Sequence, residues 1–237
     1  MNLHCGQFTL DLSSPRVMGI LNVTPDSFSD GGSYLQTDLA FAQANKLIEE
    51  GADILDVGGE STRPGAVIVS VEEEISRVVP VIEAIHSEID IPISIDTSKP
   101  DVMRAAIKAG AGLINDVRAL TVEGALEAAV DCDVPVCLMH AQGTPQNMQD
   151  DPRYDDVVSN VVEFLLDRIS ICEKAGISRD KLILDPGFGF GKKATHNLQL
   201  MKHLAKVIEL ELPVLVGVSR KSMIGALLNV SVEERLA

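Results

Sequence analysis

The chain has 237 residues with 20 basic and 35 acidic side chains, a formal charge of −15, and it is 46% apolar but only 3% aromatic. That apolar share is near the globular mean, so the chain can bury a core and is no disordered acidic tail. Its acidity excludes a general nucleic-acid binder, which needs a basic face for phosphates. The opening stretch MNLHCGQFTLDLSS lacks the basic segment and apolar run of a signal peptide. No uninterrupted apolar stretch reaches the roughly 18 residues of a membrane span, so a soluble, cytoplasmic protein is expected. Cys5, Cys132, Cys137 and Cys172 form no C-x-x-C pair, and three of them sit in or beside apolar segments; buried free thiols are expected.

In chain order, segment 7–12 reads as a small hairpin across the bottom of the fold, followed by a strand at 17–21. Ala40, Ala44, Leu47 and Ile48 make a helical stripe that ends at Gly51, ahead of a strand at 53–57. Ser70-Val71-Glu72-Glu73 matches a capping box. After the next strand, 91–95, Lys99-Pro100-Asp101 puts a proline where a first helical turn accepts it. Strands follow at 112–115 and 134–139. Val158, Val161, Val162, Leu165, Ile169 and Cys172 form a second stripe ending at Gly176, and further strands are read at 181–184 and 212–216. Seven β-branched runs alternate with helices and no linker intervenes. The pattern predicts an α/β fold, one domain over 1–237, and most simply a TIM (β/α)8 barrel. An eighth strand would fall at or beyond position 237, so the barrel is read as lacking its eighth βα unit.

Catalytic groups of such a barrel stand at the C-terminal ends of its strands. Here those ends carry Asn22; Asp56 with the loop 58–64; Asp96; Asn115 and Asp116; His140; Asp185; and Ser219-Arg220-Lys221-Ser222. One such residue is an ordinary helix cap, whereas seven polar ends on one mouth point to a site. Carboxylates inside, with Asn22, Thr62 and Arg63 near the rim, suit a neutral hydrogen-bonding heterocycle joined to a phosphate. Aspartates would pair with its amino and ring N–H groups. Gly187-Phe188-Gly189-Phe190-Gly191-Lys192 is neither G-x-G-x-x-G nor a Walker loop, and reads as a tight strand-to-helix connection. His140 has no second histidine at ligand spacing and reads as a hydrogen-bonded structural group.

Six blocks now resemble, in order, the dihydropteroate synthases, bacterial enzymes of folate synthesis. They are the stretch from Met18-Gly19-Ile20-Leu21-Asn22 to Gly32, the stretch from Asp53 to Arg63-Pro64, Asp96-Thr97-Ser98-Lys99, Ile114-Asn115-Asp116, the stretch from Asp185-Pro186-Gly187 to Lys192, and Ser219-Arg220-Lys221-Ser222. The resemblance implies condensation of 6-hydroxymethyl-7,8-dihydropterin diphosphate with 4-aminobenzoate; because departing diphosphate leaves positive charge delocalised into the pterin ring, a loose, cation-like transition state is expected. By the same resemblance, Asp96, Asn115, Asp185 and Lys221 hold the pterin. Asn22, Thr62 and Arg63 hold the diphosphate, and Asn22 also ligates Mg2+. Phe28, Thr62, Pro64, Phe190 and Ser222 border the aminobenzoate slot, where sulfonamides bind. Asn22, Arg63, Asp96, Asp185 and Lys221 are the expected catalytic set, with small-molecule substrates and a homodimer as partner. The family's Arg-x-His segment on the eighth strand has no match in this sequence. Two alternatives stay open: a corrinoid-linked methyltransferase on the same barrel, which would not need Thr62-Arg63-Pro64, and a chain that binds pterin without turnover.

Overall fold

The computed structural model describes residues 1–24, 33–61, 66–143, 147–148, 150–231 and 233–236. β1 (Asn2–Cys5) and β2 (Phe8–Asp11) pair as an antiparallel hairpin. It is the hairpin expected around 7–12, begun five residues earlier. Six parallel strands then follow in sequence order: β3 (Met18–Asn22), β4 (Ile54–Gly58), β5 (Ile93–Asp96), β6 (Leu113–Asp116), β7 (Val136–Met139) and β8 (Leu182–Asp185). The intervening helices are α1 (Ser33–Glu49), α2 (Val71–Glu88), α3 (Pro100–Ala109), α4 (Ala125–Cys132) and α5 (Val157–Ala175), with α6 (Ala194–Lys202), α7 (Ala205–Ile208) and α8 (Ser222–Leu228) after β8. A strand-helix alternation with neighbours in sequence order is the winding of a (β/α) barrel.

Most strands start one or two residues later than the sequence suggests, for local reasons. Asp53 turns its carboxylate back on the chain, accepting from Val17 N at 2.8 Å and Arg16 at 3.1 Å. Lys181 closes a 3-10 turn over Arg179–Lys181. The seventh expected strand, 212–216, requires a larger correction. It is a single parallel bridge between Leu184 and Val214, made by Leu184 N to Pro213 O at 2.9 Å and Leu215 N to Leu184 O at 2.8 Å. Pro213 has no N–H to extend the ladder. Among the described residues no further strand follows.

Alternation along the strands separates two cores. Leu55, Val57, Ile93, Ile95, Ile114, Val136, Leu138, Leu182 and Leu184 point outward against the helices, whose buried faces include Ala40, Ala44, Val78, Ile82, Ile85, Val102, Val161, Leu165 and Ile169. Full burial of each Leu or Ile contributes roughly 1.5–3 kcal/mol. Pointing inward, Ile54, Leu113, Cys137 and Ile183 make a second cluster with Leu3 and Cys5 of the hairpin. The hairpin therefore plugs the barrel at the N-terminal ends of its strands. Gly112 permits the close approach, because a Cβ there would stand 2.5 Å from the Cys5 carbonyl carbon.

Capping follows the sequence in part. Ser70 Oγ accepts from Glu73 N at 3.2 Å, but the Glu73 carboxylate pairs with Arg77, so only half of the capping box forms. Asp156 caps α5 through Val158 N and Ser159 N, and Gly176 ends it in the left-handed region. All four cysteines are free, with Cys5, Cys137 and Cys172 buried.

Candidate active site

Above the apolar plug, the next inward positions are polar. Pairing aligns Asn22 with Gly58, Gly58 with Asp96, and Asp96 with Asn115, so residues from four adjacent strands share one row. Gly58 contributes no side chain to it. A Cβ at Gly58 would lie 3.6 Å from Asp96 Oδ2 and 3.8 Å from Asn22 Oδ1, so Asn22 and Asp96 open onto one space. One step below, Asp56 is buried, and its Oδ2 accepts from Asn115 Nδ2 at 2.9 Å. Asp56 Oδ1 and Ser94 Oγ are buried as well, and the Ser94 hydroxyl offsets part of the effect of burial on the Asp56 carboxyl.

At the other side, Asp185 ends β8 and its Oδ1 accepts from Gly187 N at 2.7 Å. Lys221, the cap residue of α8, hydrogen-bonds the Phe188 carbonyl and lies 4.7 Å above the Phe190 ring. Phe188 itself is fully buried, so this turn is anchored in the core. Ser222 follows as the exposed first residue of α8. Phe28, Thr62, Arg63 and Pro64 lie outside the described residues.

The electrostatics of the row follow from burial. Burial, then the charges of Asp56, Asp116, Glu74 and Glu60, push the Asp96 carboxyl well above the usual carboxylate range. Burial also raises Asp185, against the Gly187 N–H and the cations Lys221 and Lys192. It lowers Lys221, which Asp185 partly restores. In such a cavity, hydrogen-bond donors from a ligand favour the ionised carboxylates that burial disfavours.

Strand parity separates two neighbours that the sequence groups together. Asn115 faces the cavity, whereas Asp116 faces away, accepting from Ser98 Oγ, Arg118 N at 2.8 Å and Leu120 N at 2.7 Å. Those bonds hold Ala119 and Leu120 at positive φ. Sequence reasoning also missed an ionic clamp. Lys99 Nζ lies 2.5 Å from both Glu60 Oε2 and Glu74 Oε2, joining the segment after β4 to α2 and α3. Burial pulls the Lys99 ammonium down, but the two glutamates more than reverse it. A surface hollow formed by Pro152, Arg153, Tyr154, Lys193 and His196 includes none of the strand-end row.

Comparison with known proteins assigns this geometry to a family. The family described as pterin binding enzyme matches residues 18–237. The dihydropteroate synthase of Escherichia coli (strain K12) is 57% identical over 237 residues, spanning 100% of this chain and 84% of that protein.

The chain belongs to the dihydropteroate synthase family of pterin-binding enzymes.

Dihydropteroate synthase from Haemophilus influenzae is 52% identical over 236 residues, covering 100% of this chain and 86% of that protein. Among solved structures, the Yersinia pestis dihydropteroate synthase with a sulfonamide drug complex superposes at a TM-score of 0.93 with 54% identity, covering 100% of this chain and 86% of that one. The Xanthomonas albilineans dihydropteroate synthase with 4-aminobenzoic acid gives 0.92 with 54% identity, over 99% and 84% of the two chains. No described helix is long and apolar enough to cross a membrane.

Proposed function

We infer that the chain condenses 6-hydroxymethyl-7,8-dihydropterin diphosphate with 4-aminobenzoate, forming 7,8-dihydropteroate and releasing diphosphate in folate biosynthesis. The observation that carries this reading is the inward row of Asn22, Asp96 and Asn115, joined by Asp185 and Lys221 above a sealed apolar floor. Asp96 and Asp185 accept from the amino and ring N–H groups of the pterin, and Asn115 and Lys221 complete its hydrogen bonds. Asn22, Thr62 and Arg63 hold the diphosphate. Phe28, Thr62, Pro64, Phe190 and Ser222 border the aminobenzoate.

The aniline nitrogen attacks the pterin methylene as the C–O bond breaks, the diphosphate leaves with the electron pair, and the nitrogen sheds its proton. Positive charge builds on the methylene and spreads into the ring, where ionised Asp96 and Asp185 stabilise it more than they stabilise the ground state. The aniline is neutral near pH 7, so no strong base is required. Mg2+ fits this chain beside Asn22, whose amide oxygen opens on the space next to Gly58, because the ion needs few protein ligands and keeps waters and phosphate oxygens. When bound, it spreads the charge of the departing diphosphate.

A cytoplasmic location is supported by four free cysteines, which suit a reducing compartment. A homodimer is supported by the exposed Leu227 and Leu228 of α8, and sedimentation tests it. Diphosphate release by this chain, supplied with the pterin diphosphate and Mg2+, tests the reaction. Release that depends on 4-aminobenzoate is expected. Release that ignores 4-aminobenzoate, or no release from a chain that binds pterin, overturns the reading.

A further inference from the structure

Lys192 is a buried lysine that the condensation does not use, at 3% exposure in the connection after β8; burial lowers its ammonium to about 7, with Asp185 opposing the fall and Lys221 adding to it. Four acceptors surround its Nζ, His140 Nδ1 and Gly187 O at 2.9 Å, Phe190 O at 3.1 Å and His140 O at 3.2 Å, so its three N–H groups are all engaged and one of them is shared. The acceptors come from two places. His140 is the first residue past β7, and Gly187 and Phe190 lie in the turn past β8. One ammonium therefore staples the ends of two adjacent strands.

The turn it holds carries three of the groups assigned to the substrate side. Gly187 N fixes the Asp185 carboxylate, Phe188 O holds Lys221, and the Phe190 ring lies beneath that lysine. The fit is tight. Gly187 has φ +68°, and a Cβ there would stand 1.9 Å from the His140 carbonyl oxygen. From the far side, Asn197 accepts from Gly189 N at 2.8 Å and donates to Lys192 O at 3.2 Å. His140 suits the acceptor role. Burial, then the Lys192 charge, lower its imidazole to about 3, leaving the ring neutral with a lone pair for the ammonium.

We propose that Lys192 is a positioning residue for the pterin site: its buried ammonium, bound by His140, Gly187 and Phe190, fixes the turn that sets Asp185 and Lys221 in register with each other. The proposal rests on the pterin reading above and deepens it. Nothing in it requires Lys192 to touch substrate. A shift of the turn displaces an acceptor and a donor together, and a 1 Å misplacement of binding groups reduces rates by about 10²-fold.

Lys192→Met and Lys192→Arg, each assayed well below its own unfolding transition, test this. Lys192→Met should raise KM for the pterin diphosphate about tenfold and lower kcat/KM for it about 10²-fold. The affinity for 6-hydroxymethylpterin, read by calorimetry, should weaken in parallel. Lys192→Arg keeps a cation but spreads its N–H groups over a planar fork that cannot converge on acceptors grouped around one point, so it should fall with the methionine variant. A folded Lys192→Met protein with a lower Tm, but pterin affinity and KM within twofold of the parent, would overturn the proposal. So would an arginine variant with the parent's KM, since charge alone would then suffice, or a defect confined to KM for 4-aminobenzoate. If the parent chain releases no diphosphate, the reaction reading fails while the pterin titration still decides the role of Lys192.

Discussion

Asn115 on β6 donates its amide to Asp56 on β4 at 2.9 Å, reaching across the position of Asp96 on the strand between them. The bond gives one oxygen of a buried carboxylate its partner and fixes the rotation of the Asn115 amide, because only the NH2 side can donate. Burial raises Asp56 above the usual range, and the Ser94 hydroxyl and then the Asn115 amide work against that rise. Asn115→Asp replaces the donor with a third carboxylate beside Asp56 and Asp96. Its folded-state pKa should sit above the unfolded value, so the variant's stability deficit grows as pH rises. Urea unfolding should give a loss of about 1–3 kcal/mol at pH 8 that shrinks toward pH 4.

Asp96 should shed a proton when pterin binds. In the empty cavity its pKa is raised by burial and by the neighbouring carboxylates, whereas N–H donors from a ligand favour the ionised form. Pterin affinity should therefore fall as pH falls, starting well above the ordinary carboxylate range. Calorimetry in two buffers of different ionisation heat should register proton release, and Asp96→Asn should reduce it.

Gly58→Ala separates folding from function. The added Cβ meets Asp96 and Asn22 only at ordinary contact distances, 3.5 Å or more, so stability should stay within about 1 kcal/mol. The methyl group fills the space those two residues share, and kcat/KM should drop about 10²-fold. Equal Tm with lost activity is the expected pair of results.

Gly112→Ala should do the reverse. Its Cβ collides with the backbone of Cys5 and Gly6 at 2.5–2.7 Å, so the hairpin must lift from the floor. Stability should fall by about 1–3 kcal/mol, with kcat of the folded fraction preserved. Chemical denaturation and active-site titration check the two halves.

His140 sets part of the acid limit of the fold. Its folded pKa, about 3, lies below the unfolded value of 6.5, so the unfolded chain binds the extra proton between those values. Stability from this group is present above pH 6.5 and is lost as pH falls toward 3. His140→Gln removes the dependence. Its stability relative to the parent should improve by about 2–3 kcal/mol between pH 7 and pH 4 in matched urea titrations.

The alternation of strands and helices was legible in the sequence because β-branched runs, helical stripes and glycine stops each report local geometry. Gly51 and Gly176 end helices where the pattern says they should. The missing strand ladder at 212–216 was not legible, since Val214 and Val216 keep the right composition while Pro213 removes the donor that extends the pairing. Asn22, Asp96, Asn115 and Asp185 could be placed at strand ends, but only pairing register reveals that Asn22 shares a row with Asp96 and Asn115 and that Asp116 turns away. Lys192 was visible only as a lysine after a glycine-rich run. Its burial depends on His140, 52 residues away, and no local pattern encodes that contact.

The hairpin at the N-terminus has one more consequence. Leu3 and Cys5 rest on Ile54, Leu113, Cys137 and Ile183, which belong to four strands spread across most of the chain. The socket for Leu3 and Cys5 is complete only after β8 exists. The opening segment is therefore made early and seated late, and the closing of the floor reports that the strands around it have already assembled.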